Sequence, residues 1–303
     1  MFRRVIWAID PIDIDVVHER KVAQVIKQIV GPNLNVIQPV ALLPPSQGWS
    51  IPRDSGVGDP ASMMNDFALS LPKKVRLEGS AKLVYLHQND LSLSGAIRRL
   101  VEFSDEAFAE LIVVSSSAKG KTHPFLLGSF AESLILRSPI PVLLIPSSPK
   151  PARKIRRVLF PTDFSEASSS AVMQVLNLCL RMGAKLTIFH HLDAAPRSDL
   201  GNRFNLWMTK EREFREKQGE DFLLLAKESG VDAELIFKSD CSSVIESILR
   251  FQKTKISDMI ALVSRSVPGI TEEIGASTRQ IVQSAPCPIW ILHPVLGAQS
   301  RRP

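Results

Sequence analysis

The chain has 303 residues, 45% of them hydrophobic and 22% charged, with a formal net charge of +6. That is apolar material for two cores of ordinary size, and no apolar run reaches the roughly 20 residues a membrane span needs. The positive charge is scattered as pairs, Arg3-Arg4, Lys73-Lys74 and Arg98-Arg99, with one group from Arg153 to Arg157, and there is a single tyrosine. This pattern makes a solvated surface and not a nucleic-acid stripe, which needs clustered Lys and Arg along one face.

In chain order, residues 3–9 read as a first strand ending in Asp10, and Asp13 to Val30 as a helix with Val16, Val17, Ala23, Ile26, Ile29 and Val30 at helical spacing. Val36 to Leu43 is a second strand. Pro44 to Pro60 is a loop rich in Pro, Gly and Ser, followed by a helix from about Ala61 to Leu77, a strand from Lys82 to His87 and a helix from Ser94 to Phe103. Leu111 to Val114 is an apolar run leading into a small-residue loop, then a helix opening near Gly128-Ser129 and a last strand after Pro139. Unalternated runs of Val, Ile and Leu are buried on both faces, as in a parallel sheet covered by helices.

The plan then recurs. Arg3 to Asp10 is answered by Arg156 to Asp163, and Gly128 to Pro139 by Gly275 to Pro286 with identical spacing. One unit of about 150 residues is therefore written twice, with domains expected at 1–148 and 149–303 and the proline-stiffened stretch Pro146 to Ala152 as linker. In the second unit Val158 to Pro161, Lys185 to His191, Ala233 to Phe237, Met259 to Val263 and Ile289 to Leu292 are the strands. Ser165 caps the first helix and Gly183 closes it, and a long charged helix runs from about Asn205 to Ser229.

These residues resemble a tandem universal stress protein. VLFPTDFSEASSSAV (Val158 to Val172) resembles the family's first strand and turn, and LLGSFAESLILRSPIPVLLI (Leu126 to Ile145) with SAPCPIWIL (Ser284 to Leu292) resembles its last helix and strand. The resemblance implies an α/β, Rossmann-like fold of two tandem open five-stranded parallel sheets with helices on both faces. Some family members bind ATP through a Gly-x2-Gly-x9-Gly-Ser/Thr loop after strand four. In the first unit those positions fall on Ser115, Ala118, Gly128 and Ser129, so the spacing survives with two glycines replaced by small residues. Backbone amides of such a loop, with the Ser117 hydroxyl and the helix start at Gly128-Ser129, can hold phosphate oxygens.

The second unit departs further. Its loop from Val263 to Gly275 is two residues shorter than the one from Val114 to Gly128, Glu272 and Glu273 stand where phosphate would arrive, and Ala276 replaces the serine. It is expected to be a structural partner. Asp10 and Asp163 match the aspartate that lies near the nucleotide in ATP-binding relatives, while a carboxylate capping the first helix explains them equally.

No catalytic set and no metal cluster is expected. His190 and His191 are adjacent on a strand and point to opposite faces, and Cys179, Cys241 and Cys287 lack ligand spacing. Met1-Phe2-Arg3-Arg4 leads straight into a strand instead of a signal peptide, which places the chain in the cytoplasm. Val142 to Ile145 and Ile289 to Leu292 are apolar yet terminal in their sheets. Exposed apolar edges are avoided, so the halves are expected to meet there as an internal pseudo-dimer, with a homodimer also open. The expected function is a non-enzymatic stress-response module with ATP in the first half. The alternative is a nucleotide-free scaffold working through an unknown protein partner or an apolar ligand between the domains.

Overall fold

The computed structural model describes residues 2–10, 15–30, 36–44, 59–71, 81–116, 129–146, 154–193, 202–240, 242–255, 257–264 and 275–294. The first half contains β1 (Arg4–Ile9), α1 (Val16–Val30), β2 (Val36–Leu43), α2 (Pro60–Ser70), β3 (Lys82–Tyr85), α3 (Leu93–Glu106), β4 (Leu111–Ser116), α4 (Ser129–Arg137) and β5 (Val142–Pro146). The second contains β6 (Arg157–Pro161), α5 (Glu166–Met182), β7 (Lys185–Asp193), α6 (Asn202–Glu228), β8 (Ala233–Asp240), α7 (Val244–Lys255), β9 (Met259–Val263), α8 (Ala276–Ser284) and β10 (Ile289–Leu292).

Each half contributes five strands, but they form one ten-stranded sheet, in the order β3-β2-β1-β4-β5-β10-β9-β6-β7-β8. The two five-stranded parallel sheets expected of the halves are thus joined edge to edge through their last strands. All neighbours are parallel except β5 and β10, which run antiparallel with Leu144, Leu143 and Val142 opposite Ile289, Trp290 and Ile291. The physical reason is the one the sequence raised. Two apolar edges with unpaired amides and carbonyls satisfy each other, and none of Val142, Leu143, Ile289 or Trp290 is left more than 3% exposed.

Strand alternation splits the core in two. Val5, Trp7, Leu111, Val113, Leu143, Phe160 and Trp290 face α1, α2, α5 and α6, whereas Ile6, Ile112, Val142, Leu159 and Ile289 face α3, α4, α7 and α8. Because strands from both halves supply each layer, the two halves share their cores.

The helix ends follow local chemistry. Ser92 caps α3 by accepting from the Gly95 amide at 3.1 Å, and Ser165 caps α5 by accepting from the Ser168 amide at 3.4 Å. Gly183 ends α5 at φ 58° and ψ 38°, the left-handed cap the sequence predicts. Asp13 and residues 72–80 lie outside the described residues, and α1 starts at Val16, with Asp15 accepting from the Val17 and His18 amides at 3.0 Å. Among the described residues no helix is long and apolar enough to cross a membrane.

Candidate functional site

In each half the first and fourth strands lie side by side while their connections leave to opposite flanks, β1 beside β4 and β6 beside β9. Ligands of open α/β sheets sit beyond the carboxyl ends of the strands at such a switch point. In the second half this place is a cavity of about 370 Å³, within the range of small-molecule sites (about 300–1,000 Å³). Phe189, Leu262 and Ile281 give it an apolar floor, and Asp163, His190, His191 and Ser277 give it a polar wall.

Two helix starts converge on the cavity. The first intrahelical bond of α8 runs from the Arg279 amide to the Gly275 carbonyl at 3.0 Å, so the amides of Ala276, Ser277 and Thr278 precede the helix ladder and carry its positive end. Gly275, at the cap position, has no side-chain cap, and a Cβ built there meets nothing within 4 Å. The start of α5 forms the facing wall through Ser165 and Ser168.

The turn between β6 and α5 is held rigidly. Asp163 Oδ1 accepts from the Ser165 amide at 3.0 Å and from the Ser168 hydroxyl at 2.9 Å. Its carboxylate thus supports the helix start and lines the cavity as well. Phe164 has φ 55°, uncommon for a residue with a Cβ. It is pinned by Phe222 at 5.3 Å, by Gln218 Nε2 donating to its carbonyl at 3.3 Å, and by Arg215 donating to the Asp163 carbonyl at 2.9 Å. His190 donates from Nδ1 to the Thr162 carbonyl at 2.7 Å, since a carbonyl only accepts, and its ring lies 4.9 Å from Phe164. His190 and His191 stand on opposite faces of β7, as alternation requires, yet both reach the cavity at the strand end. Among the described residues no group of three His, Cys, Asp or Glu could hold a metal ion.

The first half carries different chemistry at the matching place. Ser115 is half-buried and donates its hydroxyl to Glu19 Oε1 at 2.9 Å, while the Trp7 indole donates to Glu19 Oε2 at 3.1 Å. Burial pushes the Glu19 carboxyl up to about 7 against the pull of both hydrogen bonds, and Asp15 adds to the rise. The neighbouring His18 imidazole is held below its usual value by burial. In the repeat, Trp7 and Glu19 correspond to Phe160 and Val172, and the strand register equates Ser115 with Val263, so the second half fills the same space with apolar side chains. The fold itself does not require an acid there.

The expected ligand residues are therefore only partly brought together. Ser115 points to Glu19, Asp10 is exposed beyond β1, and Ser129 is the exposed first residue of α4. Asp15, and not Asp10, caps α1. Ser117, Ala118 and Gly128 lie outside the described residues, as do Glu272 and Glu273. The cavity described is in the half expected to be structural. Sequence reasoning also passed over Glu19, whose position in register with Val22, Ala23 and Ile26 on the buried stripe of α1 was the available signal. Cys179 and Cys287 are buried thiols pushed up to about 12 by burial. Cys241 lies outside the described residues.

Comparison with known proteins agrees with this architecture. A functionally unknown protein from Pseudomonas aeruginosa is similar with TM-score 0.66 and 14% identity, covering 97% of this chain and 93% of its own. A universal stress protein from Archaeoglobus fulgidus is similar with TM-score 0.61 and 14% identity, covering 97% and 99% respectively. No curated protein matches. The family model described as the universal stress protein family matches residues 90–146 and 154–293. These segments make up more than half of the sequence, and the chain belongs to the universal stress protein family.

Proposed function

We propose that the chain is a non-enzymatic stress-response module of two domains, divided near residue 148, that holds an adenine nucleotide in its second half. The observation that carries this reading is the cavity at the β6/β9 switch point, lined above an apolar floor by Ala276, Ser277 and Thr278, whose amides precede the helix ladder of α8. Helix-start amides and their dipole suit phosphate oxygens. Phe189, Leu262 and Ile281 suit the face of a base, and Asp163, as the polar group at the end of β6, suits a ribose or base N–H or O–H donor. The first half supports this role less well, because its Ser115 hydroxyl is engaged by a buried acid instead of facing a ligand. A cytoplasmic location and the absence of catalysis belong to the same reading.

The test is a titration of the full-length protein with ATP or AMP and Mg²⁺, following the melting temperature. At a hundredfold excess over Kd the linkage is about 2.7 kcal/mol, which corresponds to roughly 5 °C or more for a chain of this size. Gly275→Asp separates binding from folding. A carboxylate at the empty cap position stabilises α8 and repels phosphate. We expect this variant to melt at or above the wild-type temperature and to lose the nucleotide shift. An unaltered shift in Gly275→Asp removes the site from this helix start, and no shift in the wild type favours the nucleotide-free scaffold.

A further inference from the structure

The β5/β10 register has a symmetry that the two halves break in a consistent way. The repeat that equates Gly128 with Gly275 also equates Leu143 with Trp290, and these two residues lie opposite each other in the antiparallel pair. A pseudo-twofold axis thus passes through Leu143 and Trp290. In an isologous pair of equal units, a residue on such an axis meets its own copy, and any contact of i with j is matched by the same contact of j with i. Here the equivalents differ. Glu132 on α4 corresponds to Arg279 on α8, and the two form an ion pair, Arg279 Nε to Glu132 Oε2 at 3.3 Å. Gln283 adds a bond to the other Glu132 oxygen at 2.7 Å.

The opposite layer repeats the pattern. Gln28 on α1 corresponds to Arg181 on α5, and Phe2 to Ile155. Gln28 Oε1 accepts from the Ile155 amide at 2.7 Å, while the Arg181 guanidinium lies 5.8 Å over the Phe2 ring. Phe2 also packs edge-on against Trp290 at 5.9 Å. Each position has kept its place across the axis and changed its chemistry to suit a partner unlike itself.

We infer that this seam is hetero-specific: the first half is matched to the second half of its own chain, and pairing of the same edge with a second copy is disfavoured by like meeting like. Pairing two first halves would set Glu132 against Glu132 with no arginine, and pairing two second halves would set Arg279 against Arg279 and Trp290 against Trp290. Glu132 is only 19% exposed, so the like-charge contact would be poorly screened. The kind of partner this surface fits is therefore the other half in cis, and any assembly of whole chains must use other faces.

Charge reversal in the intact chain reproduces the forbidden pairings. Glu132→Arg presents the Arg–Arg arrangement of two second halves, and Arg279→Glu the Glu–Glu arrangement of two first halves. The Gln283 amide can turn its oxygen or its nitrogen toward either charge. Each single variant is expected to lower the melting temperature by about 2–3 °C at low salt, with a smaller loss in 0.5 M NaCl, and the double reversal to recover most of it. A double variant that melts as low as the two single losses summed, or single variants indistinguishable from wild type at low salt, overturns the inference.

Discussion

Replacing Glu19 by Gln is expected to raise the unfolding free energy by about 3 kcal/mol at pH 8.5 and by very little at pH 4. Glu19 lies beneath the end of β4 and is 5% exposed, and burial raises its carboxyl from 4.5 to about 7. A folded-state acid of raised pKa binds its proton more tightly than the unfolded chain does. Its favourable contribution is complete below pH 4.5, falls as the pH rises, and is gone above about 7, where a buried charge must be carried. Gln removes that term. It can also keep both contacts, with its oxygen accepting from Trp7 and its amide donating to the Ser115 oxygen. His18 works in the other direction, since burial favours its neutral form and the folded chain loses stability as the pH falls through 6.5. It is present in both proteins and cancels in the difference. Urea denaturation from pH 4.5 to 8.5 checks the result. A Glu19→Gln difference that does not change with pH would show that the acid is not buried as described.

Trp290→Ala should cost about 3–5 kcal/mol, the range for emptying a buried aromatic site. Trp290 is 3% exposed at the centre of the seam, packed on Phe2 and opposite Leu143. The loss removes the largest side chain holding β5 to β10, so we also expect calorimetry to resolve two transitions where the wild type gives one. Trp290→Phe should cost far less than Trp290→Ala. It keeps most of the packing and deletes an indole N–H that is buried without a hydrogen-bond partner among the described residues. A single unchanged transition in Trp290→Ala would mean that the halves are not joined through this strand pair.

Much of the fold was legible from the sequence because parallel strands buried on both faces leave long apolar runs, as at Leu111–Val114 and Met259–Val263. The start and stop of α5 were legible because Ser165 and Gly183 act through their own side chains and backbone. The helix Val244–Lys255 was passed over although it carried a readable sign, a capping box. Ser243 Oγ accepts from the Glu246 amide at 3.2 Å, and Glu246 Oε2 accepts from the Ser243 amide at 3.3 Å. The joining of the two sheets was suggested by apolar edges, but its register depends on contacts between residues such as Glu132 and Arg279 that no local pattern relates.

The site was less legible than the fold. Counting glycines along a loop finds places where a backbone can approach a phosphate, and it favoured the first half. Open space is a property of several elements at once. In the second half it arises where the ends of β6, β7 and β9 meet the uncapped start of α8, and none of these marks itself in the sequence. The Glu19 cluster escaped for a related reason. One carboxylate in an apolar helical stripe looks like noise until Trp7 and Ser115 are seen to donate to it.

Photolabelling of the full-length chain with an azido-adenine nucleotide, followed by peptide mapping, tests the nucleotide site most directly. The expected outcome is ATP-protected label on residues bordering the second-half cavity, between Pro161 and Ser168 or at His190 and His191. Protected label confined to the first half, or label that excess ATP does not displace, would contradict it.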